Sequence, residues 1–285
     1  MDWNSYAAYG LFVLGLLIGS FLNVVIHRLP IMLERGWQRE CREMLGAEVK
    51  TPLPEENQDP FNLVVPRSRC PHCGHGITWY ENIPIVSYVA LRGRCSACRA
   101  SISPRYPLVE LVTGGLFAWC GLRFGASSAA LAWCGFSAAL LTLALIDWDT
   151  TLLPDDITLP LVWAGLLAAQ WGLSGLSLSN ALWGAVAGYL SLWSVYWLFK
   201  LATGKEGMGY GDFKLFAALG AWFGWEALIP MILMASVIGA LVGIAMKINS
   251  QLREGGYVPF GPFLAGAGFV TLAFGTATVQ RVIGL

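Results

Sequence analysis

Residues 138–147 read Ala138-Ala139-Leu140-Leu141-Thr142-Leu143-Ala144-Leu145-Ile146-Asp147. An uncharged run ends abruptly in a carboxylate. Extended back to Ser127, the run has the roughly 20 mostly apolar residues that a bilayer-crossing helix needs. Lipid offers no partner to backbone N–H and C=O groups, so such a run must be helical. Asp147 then falls where the hydrocarbon ends. An ionisable group there is costly to place, which makes it a functional candidate.

The rest of the chain has the same character. It has 285 residues, 56% hydrophobic and 13% charged, against about a quarter charged in an ordinary soluble domain. The 13 Trp and 33 Gly fit membrane helices, where aromatic belts and glycines are enriched. A soluble globular fold is excluded, because too little polar surface is available to cover it. The pattern predicts an all-α polytopic membrane protein with about eight spans, near residues 6–26, 107–124, 127–146, 157–173, 181–201, 213–225, 227–246 and 259–279. The start, Met1-Asp2-Trp3-Asn4-Ser5, has no Lys or Arg before the apolar run. The first span is therefore expected to be retained rather than cleaved as a signal peptide.

Basic residues set the orientation. Eleven of the 18 lie between the first two expected spans, from Arg28 to Arg105 and including Lys50. If that segment faces the cytoplasm, Lys200, Lys205, Lys214, Lys247 and Arg253 also fall inside, and only Arg123 and Arg281 fall outside. Both termini are then outside. The expected organisation is a first span over 1–26, a polar cytoplasmic insertion over 27–105 and a helical bundle over 106–285. Within the insertion, residues 33–62 show no strong apolar pattern. Small residues recur four apart at Gly15/Gly19, Gly184/Gly188, Gly220/Gly224 and Gly239/Gly243, a spacing that lets helices approach closely.

The insertion carries Cys70-Pro71-His72-Cys73 and Cys95-Ser96-Ala97-Cys98. Two CxxC pairs at this separation predict a structural zinc site with ligands Cys70, Cys73, Cys95 and Cys98. Two disulfides, or His72 or His75 in place of a cysteine, are the alternatives. A reducing compartment disfavours disulfides. Cys120 and Cys134 lie in apolar spans and read as packing residues.

Asp212 is the second acid at a span edge. It follows Gly207-Met208-Gly209-Tyr210-Gly211 and precedes a short apolar run. The orientation puts Asp147 and Asp212 at the same membrane face. Two facing carboxylates can share a proton, one activating water and the other polarising a carbonyl. The glycines before Asp212 are expected to be non-helical and to let an extended peptide approach, which makes Gly209 and Gly211 candidate substrate contacts. Asp149 rivals Asp147, Asp212 can simply cap its helix, and Asp155 and Asp156 read as first-turn acids.

These residues resemble the bacterial prepilin peptidase family, the type IV leader peptidases and N-methyltransferases. The resemblance rests on the run from Gly19-Ser20-Phe21-Leu22-Asn23 to Arg28-Leu29-Pro30, the double CxxC, and Arg105-Tyr106-Pro107-Leu108-Val109-Glu110. It also rests on Ile146-Asp147 through Leu153-Pro154-Asp155, and on Gly209-Tyr210-Gly211-Asp212 as GxGD. It implies Asp147 and Asp212, rather than Asp149, as the catalytic pair of an aspartic peptidase at the inner membrane. It implies prepilins and pseudopilins as membrane-inserted substrates, cut at the cytoplasmic face. It also implies S-adenosylmethionine as donor for methylating the new N-terminus, with no residue assigned to it. Asp149, Asp155 and Asp156 are expected to attract a basic leader. Membrane lipid is expected around the bundle and nucleic acid is not expected as a partner. The rival readings are a proton-coupled transporter relaying through Asp147, Asp212 and Glu110, and a scaffold whose zinc segment binds partners.

Overall fold

The computed structural model describes residues 3–45, 60–249 and 258–284. Lys50 and Arg253, which entered the orientation count, lie outside them. Regular structure among the described residues is helical, and the chain forms two compact units, Met1–Trp119 and Cys120–Leu285.

The first unit begins with α1, Trp3–Leu45, a helix of 43 residues with Pro30 inside it. The sequence alone predicts a first span ending at Ile26 and no regular pattern over 33–62. The helix instead continues to Leu45, because its polar half has partners. Arg28 donates to the Asn62 carbonyl at 2.9 Å, and the Phe61 ring lies 5.7 Å from the Arg28 guanidinium and 4.3 Å from that of Arg35. The short α2, Val86–Ala90, follows. Then comes α3, Arg105–Phe124, which packs on α1 through glycine. A Cβ at Gly15 would lie 2.8 Å from Gly114 Cα, and one at Gly19 would lie 2.7 Å from Glu110 Cα.

The second unit holds α4 (Ser128–Thr150), α5 (Asp155–Gln170), α6 (Leu178–Thr203), α7 (Tyr210–Phe223), α8 (Leu228–Ile248), α9 (Gly261–Phe274) and α10 (Thr276–Ile283). Its tightest seam joins α6 to α7. A Cβ on Gly184 would meet the Gly220 carbonyl and one on Gly220 the Gly184 carbonyl, while Gly188 faces the Phe216 carbonyl. Deeper in the unit, Trp133, Phe136, Trp222 and Phe223 interlock with ring centroids 4.9–5.5 Å apart. The Trp222 indole N–H finds the Leu161 carbonyl at 2.9 Å, which meets the need of a buried donor for a partner.

Among the described residues, four helical stretches are long and apolar enough to cross a membrane: Ser5–Met44, Ser128–Thr150, Leu178–Thr203 and Trp225–Ile248. The pair α9 and α10 would make a fifth, bent by 111°. Eight spans are thus not reached by length and composition. The expected spans over 157–173 and 213–225 correspond to helices of only 16 and 14 residues, roughly 24 and 21 Å against ~30 Å of hydrocarbon. The expected continuous span over 259–279 breaks at Gly275, whose φ of 81° ends α9.

The α6–α7 seam leads to a direct expectation. Gly184→Ala or Gly220→Ala must push two backbones apart and should cost about 1–3 kcal/mol or more. Gly266→Ala, with open space around its Cβ, should be silent. Thermal inactivation midpoints of the purified variants in one detergent measure the difference.

Candidate functional site

Two constellations stand out, one in each unit. The first is the cysteine cluster. Ser68 to Ile77 and Gly93 to Ile102 fold identically. In each turn the first cysteine's N–H bonds a carbonyl five residues on, Cys70 to His75 and Cys95 to Ala100, both at 2.9 Å. A closing bond runs from Ile77 N–H to Ser68 and from Ile102 N–H to Gly93, at 2.9 and 2.8 Å. Bridges Arg69–Gly76 and Arg94–Ser101 flank them. Gly74 and Arg99 hold the same left-handed position, φ 72° and 62°.

The two turns bring the four sulfurs within 4.8 Å of one another. Cys70 Sγ lies 3.8 Å from Cys98 Sγ, and Cys73 Sγ lies 4.0 Å from Cys95 Sγ. Tetrahedral coordination at a Zn–S distance of about 2.3 Å requires edges of about 3.8 Å. The residues therefore fit a four-coordinate metal ion with no open position. Thiolate chemistry agrees. The amides of His72 and Cys73 hold the Cys70 thiol down at about 7, and those of Cys98 and Ala97 lower Cys95. The His75 amide favours the Cys73 thiolate, yet lost solvation and the three neighbouring sulfurs push that thiol up to about 12. Four thiolates crowded together need a cation. His75 turns elsewhere, to Glu81 at 3.4 Å. Glu81 is pulled down to about 2 by Ser96, then by Thr78.

The second constellation is a pair of buried carboxylates. Asp147 sits in the last turn of α4, 4% exposed. Its Oδ2 accepts the Gly261 amide at 2.9 Å, one of the orphan donors at the N-terminus of α9. Asp149, two residues on, is about 200° round the helix and exposed.

Asp212 is 7% exposed. Gly209 is the N-cap of α7, and Asp212 Oδ2 lies 3.7 Å from the Cβ position of that glycine, over the start of its own helix, where a negative charge is favoured. Its carboxylate also lies close enough to Asp147 for the two to interact electrostatically. Leu153 is the shared neighbour. Its Cβ would lie 2.6 Å from a Cβ on Gly211, and its Cδ2 3.2 Å from one on Gly261.

The two expected glycines differ. Gly209 is extended, φ −79° and ψ 149°, as anticipated. Gly211 is helical, because α7 starts at Tyr210. The packing against Leu153 accounts for its missing side chain. The loop before Asp212 is pinned to α6: Lys200 Nζ bonds Glu206 at 2.8 Å and the Tyr196 hydroxyl at 3.1 Å, and the Tyr210 hydroxyl donates to Tyr196 at 3.2 Å. The bond from Lys200 holds Glu206 below the usual carboxylate range.

Asp155, expected to attract a basic leader, already pairs with a cation of this chain. Lys214 Nζ grips both its oxygens, at 2.6 and 2.7 Å. Glu110, offered as a relay acid, belongs to the first unit, where it accepts the Ile85 amide at 2.8 Å. Spacing alone missed Gly261. Its one signal is the Pro259-Phe260-Gly261-Pro262 stretch, a helix start with Pro near N1.

Comparison with known proteins decides the family. Residues 13–124 match the bacterial peptidase A24 N-terminal domain and residues 134–244 match the type IV leader peptidase family. A prepilin leader peptidase/N-methyltransferase of Stutzerimonas stutzeri is 57% identical over 264 residues, 92% of this chain and 89% of that protein. The chain belongs to the type IV leader peptidase family. Membership makes it a bacterial membrane enzyme, a peptidase. Proteins of the same description from Pseudomonas aeruginosa and Aeromonas hydrophila are 55% and 52% identical, over 92% and 94% of this chain and 89% and 91% of theirs. No solved structure matches the chain.

The cysteine geometry carries its own test. Purified protein should hold about one tightly bound metal ion per chain. Cys70→Ser or Cys95→Ser should empty the site and expose the arginines of the segment to trypsin, read by elemental analysis and limited proteolysis.

Proposed function

We propose that this enzyme removes the leader peptide of type IV prepilins and pseudopilins at the cytoplasmic membrane face, with Asp147 and Asp212 as the catalytic pair. The observation that carries the reading is the convergence of these two buried carboxylates around Leu153. Two carboxyl groups in one apolar pocket cannot both ionise. The ionised one takes a proton from water, and the hydroxide adds to the scissile carbonyl carbon. The protonated one donates to the carbonyl oxygen. Collapse breaks the C–N bond, and the nitrogen leaves with a proton as the new N-terminus. The bond from Gly261 holds Asp147 without neutralising it.

The orientation follows the basic residues, of which Lys200 and Lys205 lie at the end of α6 and Lys214 in the first turns of α7. A cytoplasmic-edge site meets a substrate where its basic leader joins its apolar helix. Gly209, extended and adjacent to Asp212, is the backbone proposed to lie beside the substrate strand, with Gly211 behind it. In this reading 27–105 is a zinc-bearing segment and 106–285 the bundle that carries the chemistry. The zinc is structural, since four thiolates leave no position for substrate. Methylation of the new N-terminus completes the activity, as the relatives' names carry it. S-adenosylmethionine would supply the methyl group. The described residues form no nucleotide-type turn beside the carboxylates. A cleft lined by Ser177, Asn180, Trp183 and Trp225 lies at the far end of α6, about 30 Å from Lys200 at 1.5 Å per residue.

Cleavage of a prepilin in detergent, followed by mobility shift, tests the pair. Asp147→Asn and Asp212→Asn should each lose about 10⁴-fold or more in rate while remaining folded, and Asp149→Asn should cut normally. Retained cleavage in both dyad variants would overturn the mechanism. Gly261→Ala places a methyl 2.6 Å from Asp147 Oδ2. It should lower kcat about 100-fold with KM little changed.

A further inference from the structure

The segment between the two cysteine turns exposes large apolar side chains that the peptidase reading leaves unused. Trp79 is 80% exposed, Tyr80 57%, Val86 61% and Val89 67%. Trp79 and Tyr80 meet edge to face at 5.8 Å. Val86 and Val89 stand three apart, on one side of α2. The opposite side of α2 is occupied. Tyr88 packs on Gly93, 3.0 Å from its Cβ position, and its hydroxyl lies 3.5 Å from the Ile102 carbonyl. So α2 rests on the second cysteine turn and turns its valines away from it.

Where this face sits is set by one bond. The Ile85 amide, at the N-cap of α2, donates to Glu110 Oε2 at 2.8 Å. Glu110 is five residues into α3, about 7.5 Å along its axis, and is itself buried against Gly19 of α1. Asn23 of α1 reaches the Tyr106 carbonyl at 3.1 Å. The start of α2 is thereby held level with the second turn of α3, beside the apolar part of α1. That is the headgroup and upper acyl layer, where Trp and Tyr collect. Charge agrees. From residue 60 to 105 there are six arginines against one acid, Glu81, and Glu81 is bound to Thr78 at 2.7 and 2.9 Å. A basic segment with an aromatic and aliphatic face is what an anionic bilayer surface binds.

We infer that residues 79–89 form an interfacial foot, with Trp79, Tyr80, Val86 and Val89 inserted among phospholipids and the arginines of the cysteine turns on anionic headgroups. The foot positions the metal segment on the membrane, independently of how the peptide bond is cut.

The test is photo-crosslinking of the full-length protein in vesicles of phosphatidylethanolamine and phosphatidylglycerol. A benzophenone amino acid replaces Trp79, Val89 or, as control, the exposed His72 at the tip of the first turn. These exposed sites tolerate replacement, and folding is checked by metal content. Mass spectrometry should find phospholipid adducts at positions 79 and 89, at least about tenfold above position 72. Their yield should rise with the phosphatidylglycerol fraction. Equal lipid adducts at all three positions would overturn the foot. So would adducts to protein instead of lipid at 79 and 89, which would assign the face to a second copy or another chain.

Discussion

A carboxylate can sit among apolar helices only if something replaces the water it has lost. For Asp147 that replacement is the amide of Gly261, and much of the second unit follows from it. The donor is free because it opens a helix, where the first four N–H groups lack intrahelical partners. The two residues are 114 positions apart, so the bond also fixes α9 against α4. Glycine is required at 261 because a side chain would enter the space of the carboxylate it serves. Asp212 likewise sits at a helix beginning, beside the N-cap glycine of its own helix.

The close α6–α7 seam serves this arrangement. Backbones in contact through Gly184, Gly188 and Gly220 leave α7 little freedom to slide. Its short length then sets the depth of Asp212. Apolar packing between helices is non-directional and weakly driven in lipid, so glycine contacts and polar clips specify the register. The Lys214–Asp155 pair and the Tyr196–Tyr210 contact do so on either side of the acid.

The membrane class, the four cysteines and the two acids were legible in the sequence because each depends on local pattern. Apolar runs betray lipid, CxxC betrays a turn with two thiolates, and a lone carboxylate at a span edge stands out against its neighbours. The element limits were less legible. Pro30 and the charges beyond it argue for an end to α1, but Phe61 and Asn62 give that half of the helix a surface to rest on. The break at Gly275 looks like any other glycine in a chain that has 33. Within the site, the packing of Leu153 on Gly211 and the bond from Gly261 were invisible because they join residues 58 and 114 positions apart. Gly211 was read as loop backbone, when its lack of a side chain answers to Leu153.

The duplicated turns have a mechanical consequence. Each supplies two sulfurs, so neither closes a coordination shell alone, and an ion shared between them would join Cys73 to Cys95. The residues between become a closed ring rather than a stretch of chain. A pull arriving along the backbone from α1 or from α3 is borne by the metal–sulfur bonds and bypasses the ring. Whatever the ring touches would be insulated from strain in the helices that flank it.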